Sequence, residues 1–548
     1  MAPRPTPSSY FTKDERVGDL SPPKDVEIAK ESEPEWKPNR AEYLVVSCLA
    51  LASLIVSLDA TIFVTILPEI TRDLHGTSTE AFWIGTTYLL TSAVFQCFIV
   101  SLSDIFGRRP LLIVSLALFT IGTIVCCTAP NFTQLLAGRC VQGVGGGGVI
   151  AFAQVILTDI IPLRQRPSFI AIVQAAWAVG TVSGPLLGGA IAQSTTWRWV
   201  FYLNFPICAI SLIMAPLVVK LEAPRAFSFK LFLEVDWVGA FLFIASTTSF
   251  LIGVLWGGSQ FPWDSWHTLV PLILGAAGVG ASIIWEVYGT STPFLRLSIF
   301  SNVSSVAAYF GAFTQGMLLF CILYYIPLYL RVTQDFSPLL TGVGCMPVTV
   351  ILLPSSAIVG ALMRKYGVFR PAIWVGWTIT ILSQGLLILL DADTKTWVWV
   401  VIFCVVGGGH GLILMAVGYS IQAVTDPKIV AYATAMYTFL RSFGFCVGVA
   451  IGSAVFQNRL EQELKNLHLP PGAATDSEGF VTILHSMPTS SPARHAYNVA
   501  YAKGIQTVFL VLTILAALGG LSSLFIKHRS TDKALASEHR LSQRSEKR

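Results

Sequence analysis

The chain has 548 residues, of which 53% are hydrophobic and only 12% charged, about half the charged share of an ordinary soluble domain. With a mean hydropathy of +0.66, this composition excludes a water-soluble globular protein and describes a chain that crosses a bilayer many times. The net charge of +5 is too small to indicate nucleic-acid binding.

In chain order, residues 1–40 are polar and Pro-rich with no apolar h-region, so no cleavable signal peptide is expected. This stretch and residues 528–548 read as disordered cytoplasmic tails. Between them, apolar runs of about 20 residues, the length that spans the hydrocarbon, predict fourteen helices. The first six are 43–67, 81–102, 109–128, 133–160, 168–192 and 198–220; two more follow at 236–256 and 268–288. The last six are 303–331, 339–363, 370–391, 396–424, 431–457 and 505–527. With the N-terminus inside, the inner loops hold twelve Lys and Arg and the short outer loops four, so both termini are predicted to be cytoplasmic. All ten cysteines fall in predicted spans without a C-x-x-C pair. They read as small packing residues, not as disulfides or metal ligands.

The chain repeats itself. Asp104-Ile-Phe-Gly107-Arg108-Arg109 follows the second span, and Arg364-Lys-Tyr-Gly367-Val-Phe-Arg370 follows the tenth, the glycines lying 260 residues apart. Gly143-Val-Gly145-Gly-Gly147 in the fourth span and Gly407-Gly-Gly409-His-Gly411 in the twelfth lie 264 apart. The reading is an all-α polytopic protein with an N-terminal six-helix bundle (41–220), a two-helix insert with its loops (221–302) and a C-terminal six-helix bundle (303–527). Paired bundles with a substrate site between them near the midplane are a transporter architecture. The long outer loop 458–504 is either a solvated connection or a partial cover of the outer mouth.

Ionisable groups inside spans cost about 2.5–3.5 kcal/mol each at the helix centre and are therefore functional candidates. Asp59, in Leu58-Asp59-Ala60-Thr61, is a carboxylate able to load and release a proton, or a polar contact between helices. Arg139, with Gln142 one turn on, stays charged and needs a partner such as Asp59, or else snorkels to the interface. Asp104, Gly107, Arg108 and Arg109 form a short charged inner loop suited to ion pairs that exist in one state only, with Asp159 as a further member. Arg441 is expected to pair with Asp104 or Asp159 across the halves. Gln96, Gln154, Trp177, Gln315, Tyr324, Tyr325, His410, Gln422 and Tyr437 are candidates to line a cavity for a bulky, largely apolar substrate, or packing residues.

Gly180-Thr-Val-Ser-Gly184-Pro185-Leu-Leu-Gly188-Gly189 places glycines on one helix face for close approach by a neighbour. Pro185 frees a carbonyl that something must cover. The stretch resembles the fifth-helix motif GxxxGPxxGG of antiporters. Together with Leu58-Asp59-Ala60-Thr61, Leu102-Ser-Asp104-Ile-Phe-Gly107-Arg108-Arg109, Arg139-Cys-Val-Gln142-Gly143 and Trp197-Arg198-Trp199-Val-Phe201-Tyr-Leu-Asn204-Phe-Pro206, it resembles the fourteen-helix drug:proton antiporter branch of the major facilitator superfamily. One departure is Val100, where the loop signature opens with glycine.

The resemblance implies proton-coupled efflux of small organic molecules such as toxins, secondary metabolites or drugs, by a monomer in the plasma membrane or a vacuolar membrane. Its partners would be the substrate, protons and lipid, with no cofactor. A siderophore importer on the same scaffold and a non-transporting sensor are the competing readings. The sequence shows no P-loop lysine motif, H-E-x-x-H or nucleophile elbow, so an enzyme is not expected.

Overall fold

The computed structural model describes residues 36, 38–221 and 229–531 apart from 259, 291, 471, 476, 478 and 489, together with 533, 539 and 541. The expected disorder of both tails falls largely outside the described residues. The first bundle-forming helices are α1 (Arg40–Ile62), α2 (Ser78–Phe106), α3 (Arg108–Cys127), α4 (Phe132–Ile160), α5 (Arg166–Ser194) and α6 (Asn204–Val218). Two central helices follow, α7 (Trp237–Trp256) and α8 (Trp266–Ile284). The remainder are α9 (Val303–Thr333), α10 (Pro338–Tyr366), α11 (Arg370–Leu387), α12 (Thr396–Val424), α13 (Val430–Asn466) and α14 (Pro492–Ser523). The end at which α1 begins is called inner below, following the orientation expected from loop charge.

Thirteen described helices are long and apolar enough to cross a membrane, against the fourteen expected. The exception is α11, whose 18 residues include Arg370, Ser383 and Gln384. It nonetheless packs against α12 and α14, and Ser383 and Gln384 are buried there. The long outer loop also differs from expectation. Helix α13 runs on to Asn466 and α14 begins at Pro492, so the connection shortens, and short helices at Gly472–Thr475 and Gly479–Ser486 fill part of it. Polar residues let these helices project beyond the apolar zone; Glu463 is held by Arg459 at 2.5 Å and Lys503 at 3.3 Å.

Helix packing repeats with a step of eight helices. Helix α1 packs on α5, α6 and α4, α2 on α4, and α3 on α4 and α6; α9 packs on α13, α14 and α12, α10 on α12, and α11 on α12 and α14. The halves meet where α2 lies on α13 and where α5 lies on α10. Helices α7 and α8 pair with each other, and α7 fits beside α2 and α13, with Leu251 and Leu255 against Leu90, Val94, Cys446 and Ala450. Large apolar side chains such as Ile213, Leu217, Phe241, Ile273, Leu274 and Ile358 are exposed on the outside of the bundle, as lipid-facing positions require.

Glycine sets the tightest contacts. A Cβ at Gly180 would strike Ser57 Oγ and Leu54 O, one at Gly184 would strike Thr61 Oγ1, and one at Gly188 would strike Ile62 O. These three positions let α5 lie directly on α1. Pro185 frees the carbonyl of Thr181, and Thr61 Oγ1 of α1 donates to it at 3.4 Å. Thr65 Oγ1 likewise donates to Pro185 O at 3.2 Å. Gly189 is buried on the same helix. The other half uses the same device 264 residues on: Gly444 meets Phe313 O, Gly448 meets Met317 O, and Gly452 meets Tyr325 and Cys321.

Candidate functional site

Asp59 and Arg139 are both fully buried inside the first half, with Arg139 Nη1 2.5 Å from Asp59 Oδ2. Gln142 Nε2 donates to Asp59 Oδ1 at 2.9 Å, and Asn204 Nδ2 donates to the same oxygen at 3.0 Å. Arg139 also gives Nε to Ile84 O at 3.0 Å and Nη1 to Gln142 Oε1 at 2.8 Å. Its guanidinium lies 4.4 Å from the ring centres of Phe63 and of Tyr88, within cation–π range. Thr123 completes the cluster by accepting from Gln142 at 3.0 Å. Arg139 Nη2, Tyr88 Oη and Asn204 Oδ1 have no hydrogen-bond partner among the described residues. A buried polar network left partly unsatisfied is energetically exposed to rearrangement.

At the inner end, Arg108 is the hub. It is 2.5 Å from Asp104 and 3.1 Å from Asp159, and Nη1 donates to Ser103 Oγ at 2.5 Å and Val100 O at 3.2 Å. Gly107 joins α2 to α3 at φ 94°, a left-handed backbone that favours glycine. Arg109 donates to Pro216 O of α6 at 2.6 Å. Tyr432 of α13 hydrogen-bonds Asp104, Arg166 Nη1 reaches Gln422 Oε1 at 3.3 Å, and Arg364 Nη1 reaches Ser168 Oγ at 3.2 Å. These three contacts join the halves and close the inner end. Lys533 adds donors to Ala423 O and Thr425 O at 2.5 and 2.7 Å; burial holds its amine below the usual lysine range, with Asp426 opposing.

A cavity opens between the halves nearer the outer end. Thr61, Phe63, Thr86 and Pro185 line it from one half, and Phe320, Leu323, Tyr324, Met346 and Val449 from the other. Val481, in the short helix Gly479–Ser486, also lines it, so the long loop reaches this cavity. His485 of that helix meets Arg331 O at 2.9 Å and Asp335 at 3.2 Å, and Arg494 holds Asp335 at 2.6 Å. On the other half, Trp197 Nε1 and Arg198 Nη1 bind Asp73 at 2.7 and 3.1 Å. The Trp197 bond, then Arg198, keeps the Asp73 carboxyl below its ordinary range.

Several expectations need correction. Arg441 does not reach Asp104 or Asp159; its Nε binds Gln315 Oε1 at 3.1 Å, and its guanidinium lies over Phe445. Eleven residues from the start of α13 place it about 16 Å from the inner end. Of the nine residues expected to line the cavity, Tyr324 alone lines the outer one. Gln422 is at the inner end with Arg166, and Gln96 Nε2 joins the halves by donating to Ser442 Oγ at 2.9 Å. Gln315 serves Arg441, Tyr325 packs on Phe456, and His410 meets Gln384 at 3.3 Å inside its own half. Tyr437 Oη points to Leu414 O at 3.5 Å, while Gln154 and Trp177 are half-buried and absent from the lining. Apolar residues form most of the lining instead. Sequence reasoning missed Asn204, Phe63, Tyr88 and Thr123, although Asn204 lies within the quoted Trp197–Pro206 motif.

Residues 49–449 match the family model described as Major Facilitator Superfamily. The chain is 38% identical over 543 residues to "MFS transporter L2" of Phoma sp., covering 98% of this chain and 89% of that protein. It is 35% identical over 516 residues to "MFS efflux transporter aclA" of Aspergillus oryzae, covering 91% and 92%. It is 31% identical to "Efflux pump FUS6" of Gibberella fujikuroi, covering 93% of each. The crystal structure of the human organic anion transporter MFSD10 shares the fold, with a TM-score of 0.58 at 13% identity over 89% of this chain and all of that one. By its helices, its repeated packing and its sequence, this chain belongs to the major facilitator superfamily.

Proposed function

We propose that the protein exports small, largely apolar organic molecules in exchange for protons, by alternating access, as a monomer in the plasma membrane with both termini cytoplasmic. One observation carries the proton coupling. The glycine contacts pair Leu54 O with Phe313 O and Leu58 O with Met317 O, which aligns Asp59 with Leu318; the 264-residue spacing aligns Arg139 with Phe403 and Gln142 with Val406. All three counterparts are fully buried and apolar. The scaffold therefore packs without charge at this place, and burying an ion pair there is costly unless it works. Protonating Asp59 removes one charge of the pair and leaves Arg139 to its remaining partners.

Phe63 links that site to the substrate. Its ring lies against Arg139 and also lines the outer cavity, so movement of the guanidinium is felt by a bound molecule. The cavity lining supports an apolar cargo, the contacts at the inner end supply a closable gate, and relatives named as efflux proteins support the outward direction. Entry of one proton supplies about 2.3 kcal/mol per 100 mV, plus the pH gradient. The test uses protein reconstituted in vesicles with an imposed pH gradient and a panel of lipophilic fluorescent solutes. Gradient-driven movement is expected from wild type; a response indifferent to the gradient overturns the coupling.

A further inference from the structure

A second pair of acids lies outside the first half, where the two central helices meet the inner gate. Asp236 caps α7, accepting Gly239 N at 2.8 Å and Trp285 Nε1 at 3.1 and 3.2 Å. Glu286 follows α8 and accepts the backbone N–H of Leu295 at 3.3 Å and of Phe294. Asp236 is 9% exposed and Glu286 5%. A Cβ added to Gly239 would lie 2.5 Å from Asp236 Oδ2 and 2.9 Å from Glu286 Oε1, so those oxygens are at most about 5.4 Å apart, the total of the two distances. Neither carboxylate has a cation within 4.0 Å among the described residues.

Of the charged groups nearby, Arg108, Arg296 and His539 face other groups, Asp104, Asp159 and Glu234 add negative charge, and Lys428 lies farther than 4.0 Å from both carboxylates. Asp236 shares an inner vestibule with Asp104, Arg108, Asp159, Glu234, Arg296, Lys428 and His539. Arg108 holds Asp104 and Asp159, Arg296 lies 4.1 Å over the Tyr432 ring, and His539 is 3.9 Å from Asp104. Two buried carboxylates this close, without a counter-ion, repel each other if both carry charge, and a proton shared between them relieves that repulsion. An independent observation points to the bound species. Glu286 Oε1 is buried with no hydrogen-bond partner, and a carboxylic-acid hydroxyl facing a neighbouring carboxylate answers that deficit.

We propose that Asp236 and Glu286 form a second proton-binding site, separate from Asp59, which holds one shared proton at neutral pH and ties the central helices to the inner gate. The tie runs through Phe294, whose backbone Glu286 holds. Phe294 packs edge-on against Phe98 of α2 at 6.4 Å and Phe243 of α7 at 5.6 Å, and Phe243 meets Phe439 of α13 at 5.3 Å. Both halves therefore rest on a segment that this acid pair anchors. A shared proton neutralises one charge and tightens the anchor; its loss restores repulsion and loosens it.

The experiment is pH-difference infrared spectroscopy of the purified full-length protein in lipid nanodiscs, from about pH 5 to about pH 9. Wild type is expected to show a protonated-carboxyl C=O band at neutral pH that survives Asp59→Asn and disappears in Glu286→Gln. Should Glu286→Gln fail to fold, Asp236→Asn reads the same site by moving the pH at which the band is lost. Identical spectra for wild type and Glu286→Gln, or a band whose titration ignores Asp236→Asn, overturn the proposal. Loss of the band in Asp59→Asn alone also overturns it, since the proton would then belong to Asp59.

Discussion

The two halves share a packing scheme and differ in what they bury. Helix α5 lies on α1 through Gly180, Gly184 and Gly188, and α13 lies on α9 through Gly444, Gly448 and Gly452. Between α1 and α4 the first half buries Asp59, Arg139 and Gln142; the second places Leu318, Phe403 and Val406 there. Glycine faces are architecture, because helices cannot touch closely without them. The charges are absent from one copy of the same architecture, so the packing scheme does not require them. The second half keeps a buried arginine of its own, Arg441, satisfied by Gln315 rather than by an acid.

The comparison is most easily broken at Asp59. Asp59→Asn is expected to reduce gradient-driven transport to the level of empty vesicles and to cost about 3–5 kcal/mol of stability by leaving Arg139 without its acid. The protein still reaches the surface because Arg139 keeps Ile84, Gln142 and two rings. Normal transport would remove Asp59 from the mechanism. Next in size is Leu318→Asp, which puts an acid into the apolar copy without an arginine to meet it. A loss of about 3–5 kcal/mol is expected for an uncompensated buried charge, read as a lower unfolding temperature in detergent. Stability unchanged there would mean that the two sites are not equivalent.

Glycine substitutions sharpen the other side of the comparison. Gly184→Leu and Gly448→Leu should each cost about 1–3 kcal/mol by overpacking, by similar amounts, as judged from monodisperse yield and thermal stability. A large effect in one half only would show that the two glycine faces are not equally tight. The smallest effect is expected at Asp73→Asn, a half-exposed position worth a few tenths of a kcal/mol. Because folding lowers the Asp73 pKa, wild type keeps this advantage above the ordinary aspartate value of about 3.9. It loses the advantage as pH falls through the depressed one, which pH-dependent unfolding curves will check.

Much of this was legible in the sequence. Apolar run length located the spans because a bilayer imposes one length on them, and the 260- and 264-residue spacings exposed the duplication. The Gly444–Gly452 face was equally legible at the same spacing and was overlooked, since no proline marks it. Residue identity flagged Asp59, Arg139 and Gln142, because charge at membrane depth is rare. The cavity lining was not legible. A glutamine or tyrosine in a span has the same appearance whether it faces a cavity, as Tyr324 does, or a partner in its own half, as Gln315 does. Arg441 failed for a different reason, since depth along the helix was available from counting residues and contradicted the pairing with Asp104.

Helix α7 packs beside α2 and α13, whereas among the described residues neither central helix packs on α5 or α10, two helices on which Val179, Val343 and Val350 are exposed. A molecule dissolved in the leaflet thus meets a helix pair at one flank of the bundle and a two-helix contact at the other. Under the proposed export, lateral loading from the lipid is expected at the α5–α10 flank.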